Sequence, residues 1–240
     1  MKISLVIPMY NESAVLPSTL KKVSEYMAAN FDDYEVIFSN DGSRDNSAEL
    51  VRDFGDEHIK LGGYENNRGK GCAVRTGMLA ADGDLIMFTD CDLAYELDVV
   101  REAVKMFEAS PEAGMVIGSR AIHKEGYEGY SFIRKLASKT FLTVLRVIGG
   151  LKCSDSQTGF KAFRGEVAHK IFSKCETNGF AFDFEVILIA QKYGVKIKEM
   201  PVKIINQNDS KVNVIKDAIR MIKDIRRIKK RVKKIDLSDK

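Results

Sequence analysis

Residues 84–95 read DLIMFTDCDLAY, and the reading of this stretch decides the fold. Leu85-Ile86-Met87-Phe88 is a short apolar run of the kind that a strand buried on both faces of a parallel sheet presents. It stops at Asp90-Cys91-Asp92, with Glu96 close behind. Open α/β sheets bind ligands in the crevice beyond the carboxyl ends of their strands. Two carboxylates one residue apart at such an end suit a hard divalent cation shared with phosphate oxygens. The same residues would also make an ordinary solvated acidic turn, so the rest of the chain has to decide.

Working outward, residues 2–8 (KISLVIP) read as a buried strand that Pro8 ends because it has no N–H to donate. A turn over Met9-Tyr10-Asn11-Glu12 leads to a helix from about 14 to 29, with Leu16, Leu20, Val23 and Met27 on one face. A second strand at 34–39 (YEVIFS) enters Asn40-Asp41-Gly42-Ser43, and Asp45 is placed to cap the next helix. After a short third strand near 58–61, Asn66-Asn67-Arg68-Gly69-Lys70-Gly71 opens a helix through Ala80. Glycines there would let backbone N–H groups approach a phosphate, and Lys70 adds a positive charge. Beyond the central stretch lie a helix at about 97–109 and a strand at 114–119, with Arg120 at its exit.

This alternation predicts an α/β fold with a parallel sheet covered on both faces. Glu12, Asp41, Asp90, Asp92 and Arg120 each follow a strand and should gather along one edge. The second half is less regular. A loop at 124–130 precedes a helix from about 132 to 148 that carries Arg134, Lys135 and Lys139. SDSQTGFKAFR (154–164) puts Asp155 and Gln157 ahead of a short strand. Asp183 and Glu185 open an apolar helix, where acids in the first turn can simply complement the helix dipole.

The chain has 240 residues, 45% hydrophobic and 30% charged, which predicts one folded main domain over 1–210 with an appendage at 211–240. The net charge of +4 is uneven: residues 211–234 hold eleven Lys and Arg against two acids, while residues 1–210 hold 26 bases against 30 acids. In the appendage Ile215, Ile219, Ile222, Ile225, Ile228, Val232 and Ile235 recur every three or four residues, so an amphipathic helix with a basic outer face is expected. That face is either simply solvated or attached to an anionic membrane surface, where each charge is worth about 1 kcal/mol. Nucleic-acid binding is the third and least favoured reading, since no aromatic interleaving or recognition motif accompanies the charge, and no nucleic-acid partner is expected.

No apolar run approaches the roughly 18–20 residues that span a bilayer, and the opening MKISLVIPMYNE is too short for a secretory signal. A cytoplasmic location is the expectation. Cys72, Cys91, Cys153 and Cys175 lack metal or redox spacing and are expected as reduced, structural thiols. His58, His123 and His169 are isolated, which argues against a histidine metal site or a Ser-His-Asp triad.

Taken together, VIPMYNE (6–12), NDGSRDNS (40–47), NRGKGCAVRTGM (67–78), TDCD (89–92), VIGSR (116–120), SDSQTGFKAFR (154–164) and FDFE (182–185) resemble the inverting family 2 nucleotide-sugar glycosyltransferases. Within that family the set is similar to the polyprenyl- and dolichyl-phosphate glucose and mannose synthases. The resemblance implies a GT-A fold: a Rossmann-like three-layer α/β/α arrangement with a mostly parallel central sheet. It implies that Pro8, Tyr10 and Glu12 line a nucleotide pocket, that Asp41 accepts hydrogen bonds from the base, and that Lys70 lies near the nucleotide. Asp90 and Asp92 would hold Mg2+ or Mn2+ on the donor diphosphate, Arg120 would contact phosphates, and Lys211 would reach the diphosphate. Two positions depart from the family pattern. Asn40 stands where an aspartate is usual, and Ala94 stands where mannose synthases carry a metal-contacting Gln, which favours the glucose branch.

The implied reaction moves a hexose from a UDP-glucose or GDP-mannose type donor to a polyprenyl phosphate at the inner membrane face. An ionised phosphate acceptor needs cations more than a base, and Arg120, Arg134 and Lys139 are the candidates. A saccharide hydroxyl acceptor would instead need a base, for which Asp183 or Glu185 is placed. A nucleotide-sugar-binding protein without turnover is the remaining alternative.

Overall fold

The computed structural model describes residues 1–126, 142–143, 145–147, 149–205 and 214–236. Its first half alternates as β1 (Ile3–Met9), α1 (Leu16–Asn30), β2 (Tyr34–Asp41), α2 (Ser47–Arg52), β3 (Ile59–Tyr64), α3 (Lys70–Ala80), β4 (Leu85–Phe88), α4 (Asp98–Ala109) and β5 (Ala113–Ser119). The second half contributes β6 (Lys161–Arg164), α5 (Gly165–Phe172), α6 (Phe182–Lys192), β7 (Lys196–Pro201) and α7 (Val214–Lys233). The seven strands form one sheet in the order β3-β2-β1-β4-β6-β5-β7. Only β6 runs antiparallel to its neighbours, so the carboxyl ends of the other six share one edge.

Side-chain alternation along β1 sorts the core into two layers. Ile3, Leu5, Ile7 and Met9 face α1, α2 and α4, where they meet Leu16, Leu20, Val23, Val51, Val100 and Phe107. Val6, Ile86, Phe88, Met115 and Ile117 belong to the opposite layer with Val74 and Met78 of α3, Phe172 of α5, Phe184 and Ile187 of α6, and Ile225, Ile228 and Val232 of α7. The sheet is thus covered on both faces, as the strand–helix alternation predicts.

Some local expectations need correcting. Pro8 does not end β1, which runs on to Met9 in register with Asn40. The Val6 carbonyl accepts the Thr89 N–H, and pairing with β4 stops at Val6–Phe88. Two residues further on, Pro8 faces that same side beyond the end of β4, where its missing donor costs no ladder bond. β3 extends through Gly62-Gly63 to Tyr64, because glycines hide a strand's alternation without preventing its pairing. Asp45 is not the N-cap of α2; Asn46 is, and Asp45 accepts the Ser47 N–H at 3.1 Å from just outside the helix. Arg134, Lys139, Lys211 and most of the helix expected at 132–148 lie outside the described residues.

The basic appendage is docked on the sheet's second layer. Ile225 and Ile228 are fully buried and Val232 is 3% exposed, while Lys223, Arg226, Arg227, Lys230, Lys233 and Lys234 remain exposed. Ile228→Ala should therefore destabilise the protein by about 2–4 kcal/mol through transfer and cavity terms, whereas Arg226→Ala should stay within about 0.5 kcal/mol. Urea unfolding of the two variants beside wild type checks the contrast.

Candidate active site

The loops leaving β1 and β2 are tied to each other. Asn11, in the left-handed region at φ 55°, donates its N–H to Ser43 Oγ at 3.0 Å and accepts the Arg44 N–H on its side chain at 2.8 Å. The Glu12 N–H donates to Ser47 Oγ at 2.9 Å, and the Ser13 N–H to Asp45 at 3.1 Å. Asn40 accepts the Ser43 N–H at 3.0 Å, so the residue that departs from the family pattern closes this turn. The result is a fixed wall with Pro8 buried and Tyr10 41% exposed at the rim.

Asp41 is 4% exposed and its acceptors are already in use. They take the Tyr64 hydroxyl at 2.6 Å, Asn67 Nδ2 at 3.0 Å, and the N–H groups of Arg68 and Gly69 at 2.8 and 3.0 Å. The carboxylate therefore holds the turn ahead of α3, which leaves little capacity for the base contact the resemblance implies. The expectation of phosphate-binding amides at the start of α3 also fails. Gly71 and Cys72 give their N–H groups to the Asn178 carbonyl at 2.7 and 3.3 Å. The glycines serve close packing instead: a Cβ on Gly69 would lie 2.6 Å from the Asn178 carbonyl oxygen, and one on Gly71 2.4 Å from that of Thr177.

What α3 does bring to the crevice is Lys70, whose ammonium sits 2.5 Å from Asp90 Oδ1. Burial works against this charge, but Asp90, Asp183 and Asp92 outweigh it and raise its pKa. Glu12 points to the same concentration of negative charge. Burial first, then Asp92, Asp45 and Asp90, push its carboxyl above the usual range. The other wall is Gly159, where a Cβ would lie 2.0 Å from Asp90 Oδ2. Any larger residue there would displace the carboxylate. The Gly159 N–H in turn donates to the Tyr95 hydroxyl at 3.4 Å.

These residues fit a divalent cation. Among the described residues no group of three or more acids, Cys or His could hold a metal without help. A pair of carboxylates completed by a ligand's phosphate oxygens and water is, however, the usual setting for Mg2+. The excess of carboxylates around one lysine is the electrostatic condition that favours such an ion.

Arg120, expected on phosphates, is buried against Asp155, with Nε to Oδ2 at 2.7 Å and Nη2 to Oδ1 at 3.0 Å. Asp183 is ion-paired with Lys161, a fully buried lysine that also donates to the Thr158 carbonyl at 2.7 Å. Burial raises the Asp183 carboxyl and Lys161 only partly reverses the rise. Glu185, fully buried, accepts the N–H groups of Glu176 and Thr177 and pairs with Arg231. The partners Asp155 and Lys161 and the Gly159 contact were missed in sequence as site features. Their signals were the motif SDSQTGFKAFR that holds all three and, within it, a lysine interrupting the apolar GFKAF.

Burial alone would raise Asp155, but Arg120 and the N–H groups of Gln157 and Arg120 hold it below the usual carboxylate range. The pair's stabilisation is therefore complete above that range and is lost as pH falls through the lower folded value. Asp155→Asn should be the less stable protein at pH 7, yet lose less further stability between pH 5 and 3 than wild type. Urea unfolding across that interval checks the sign.

Comparison with known proteins identifies the family and the fold. The model of "Glycosyl transferase family 2" matches residues 4–172. Dolichyl-phosphate beta-glucosyltransferases of Trichomonas vaginalis and Saccharomyces cerevisiae are 33% and 30% identical, over 91% and 93% of this chain and 69% and 72% of their own lengths. Glucosyl-3-phosphoglycerate synthase from Mycobacterium tuberculosis, solved with Mn2+, UDP and phosphoglyceric acid, superposes with a TM-score of 0.67 at 16% identity. That match covers 98% of this chain and 80% of the other, and it supports the GT-A fold. With a family model over most of the chain and relatives at 30% identity or more, the chain belongs to the family 2 glycosyltransferases.

Proposed function

We propose that the protein transfers a hexose, glucose by the analogy of its relatives, from a nucleoside diphosphate sugar to a polyprenyl phosphate of the dolichyl type. One observation supports the choice of acceptor: the two carboxylates that the sequence offers as a base are engaged by other groups of the protein, Asp183 by Lys161 and Glu185 by Arg231. If Asp183 took up a proton, the ammonium of fully buried Lys161 would lose its counter-charge, which is costly in a dry environment. Glu185 is held by two backbone N–H groups and Arg231. An acceptor that arrives ionised needs neither of them.

In this reading Pro8, Tyr10 and Glu12 border the nucleotide, and Asp41 acts through the turn it holds. Asp90 and Asp92 would carry Mg2+ or Mn2+, which when bound supplies Lewis-acid stabilisation of the departing nucleoside diphosphate. Lys70 steers Asp90 and adds positive charge beside the diphosphate. Arg120 orders the loop at 154–159 through Asp155, and Arg134 and Lys211 remain the sequence candidates for phosphate contacts. Residues 1–210 would be the transferase domain and 211–240 its basic appendage, helical over Val214–Lys233. The exposed bases of α7 favour peripheral attachment to an anionic inner membrane face; no described helix is long and apolar enough to cross a membrane.

Two outcomes test this. Asp92→Asn should cut Mn2+-dependent transfer of radiolabelled glucose to polyprenyl phosphate by about 100-fold or more with the fold intact. Replacing Lys161 by Met together with Asp183 by Asn, which removes both charges of the buried pair, should retain transfer to within about tenfold; a fall to the Asp92→Asn level would mean that a base is required. For the membrane claim, Arg226→Glu with Lys230→Glu should reduce flotation with anionic vesicles and leave binding to neutral vesicles unchanged.

A further inference from the structure

Although α7 presents a basic outer face, one of its arginines turns inward. Arg231 pairs through Nη2 with the carboxylate of Glu185, donates to Thr177 Oγ1 at 2.7 Å, and lies 3.4 Å from Glu176 through Nη1. Glu185 is fully buried, and its other oxygen accepts the N–H groups of Glu176 and Thr177 at 3.1 and 2.7 Å. The next residue, Asn178, accepts N–H groups from the first turn of α3 on its carbonyl, from Gly71 at 2.7 Å and from Cys72 at 3.3 Å, the latter shared with the Gly69 carbonyl at 2.9 Å. Its side chain accepts Arg75 Nη2 at 3.0 Å, and Arg75 Nη1 donates to the Cys175 carbonyl at 3.1 Å. Lys70, one residue before Gly71, holds Asp90. An unbroken series of contacts thus runs from the C-terminal helix to the acidic crevice.

We infer that Arg231 is a positioning residue for the donor site. Through Glu185 it fixes residues 176–178, and these fix where α3 begins and hence how Lys70 meets Asp90. The physical reason is the burial of Glu185. Without the guanidinium, the carboxylate keeps only backbone donors in a water-free setting, and it can gain hydration only by releasing the Glu176 and Thr177 amides. The planar fork of arginine reaches Glu185, Thr177 and Glu176 together, which the single ammonium of lysine cannot reproduce. The C-terminal helix would then be part of the donor-binding structure as well as a surface for attachment. This rests on reading the Asp90 crevice as the donor site, so the test carries one readout that needs no donor.

Calorimetric titration of the full chain with UDP-glucose and Mn2+ would compare wild type, Arg231→Ala, Arg231→Lys, Glu185→Gln and the Glu185→Gln, Arg231→Ala double variant. Arg231→Ala should weaken UDP-glucose binding about tenfold and raise the donor KM more than it lowers kcat, with Arg231→Lys in between. In the Glu185→Gln background the same change should cost less than about twofold, because the arginine acts through that carboxylate. Hydrogen exchange without ligand should show faster exchange at Gly71, Cys72 and Thr177 in Arg231→Ala. Unchanged affinity with unchanged exchange at 71–72, or an equal loss in both backgrounds, would overturn the inference. Should Arg231→Ala not fold, Arg231→Lys in the two backgrounds gives the same comparison. If wild type itself bound no UDP-glucose, the donor reading would fail and the exchange measurement would still decide the role of Arg231.

Discussion

Like charge brought to one place is the constraint on which the rest of this structure depends. β1 and β4 are adjacent and parallel, so the loops at their carboxyl ends cannot avoid each other, and those loops carry Glu12, Asp90 and Asp92. Burial raises the Glu12 carboxyl first, and Asp92, Asp45 and Asp90 add their repulsion to it. Lys70 offsets part of it, and much of the surrounding structure serves to hold that lysine: Asp41 on the turn before it, Asn178 on the helix start, and Gly159 leaving room for Asp90. A divalent cation brought in with a diphosphate would relieve the remainder, so donor and metal binding should reinforce each other.

Around that crevice, charge is handled by pairing at depth. Arg120 with Asp155, Lys161 with Asp183 and Arg231 with Glu185 each bury at least one member almost completely. Such pairs contribute little net stability, because desolvation offsets most of the attraction, but a pair with one partner missing is heavily penalised. They therefore act as registration devices. Each joins a different pair of segments: the exit of β5 to the loop at 154–159, the start of β6 to α6, and α6 to the C-terminal helix.

The fold was largely legible because its signals are local. Apolar runs ending in polar clusters gave the strands, and a shared strand direction gathered Glu12, Asp41, Asp90, Asp92 and Arg120 on one edge. Partner choice was not legible. Nothing near Asp41 in sequence announces that its acceptors go to residues 64–69, and nothing near Gly71 announces Asn178, because these contacts join residues far apart in the chain. The glycines of the α3 turn illustrate the limit. A glycine that admits a phosphate and one that admits another loop's carbonyl read identically until the neighbour is known. Pro8 is a similar case, since whether a missing donor matters depends on where the adjacent strand stops.

One feature of the sheet bears on how such an enzyme can be varied. Because β6 runs against its neighbours, the chain that departs at Ser119 comes back at Lys161 on the same rim, beside the two aspartates. The end of that return is tied to the sheet: Thr158 Oγ1 donates to the Gly118 carbonyl at 2.7 Å, and the Ser154 N–H to Glu199 at 2.9 Å. Any change in the chain between those points must therefore keep residues 154–160 in place, because Gly159 sets the position of Asp90 and Asp155 that of Arg120.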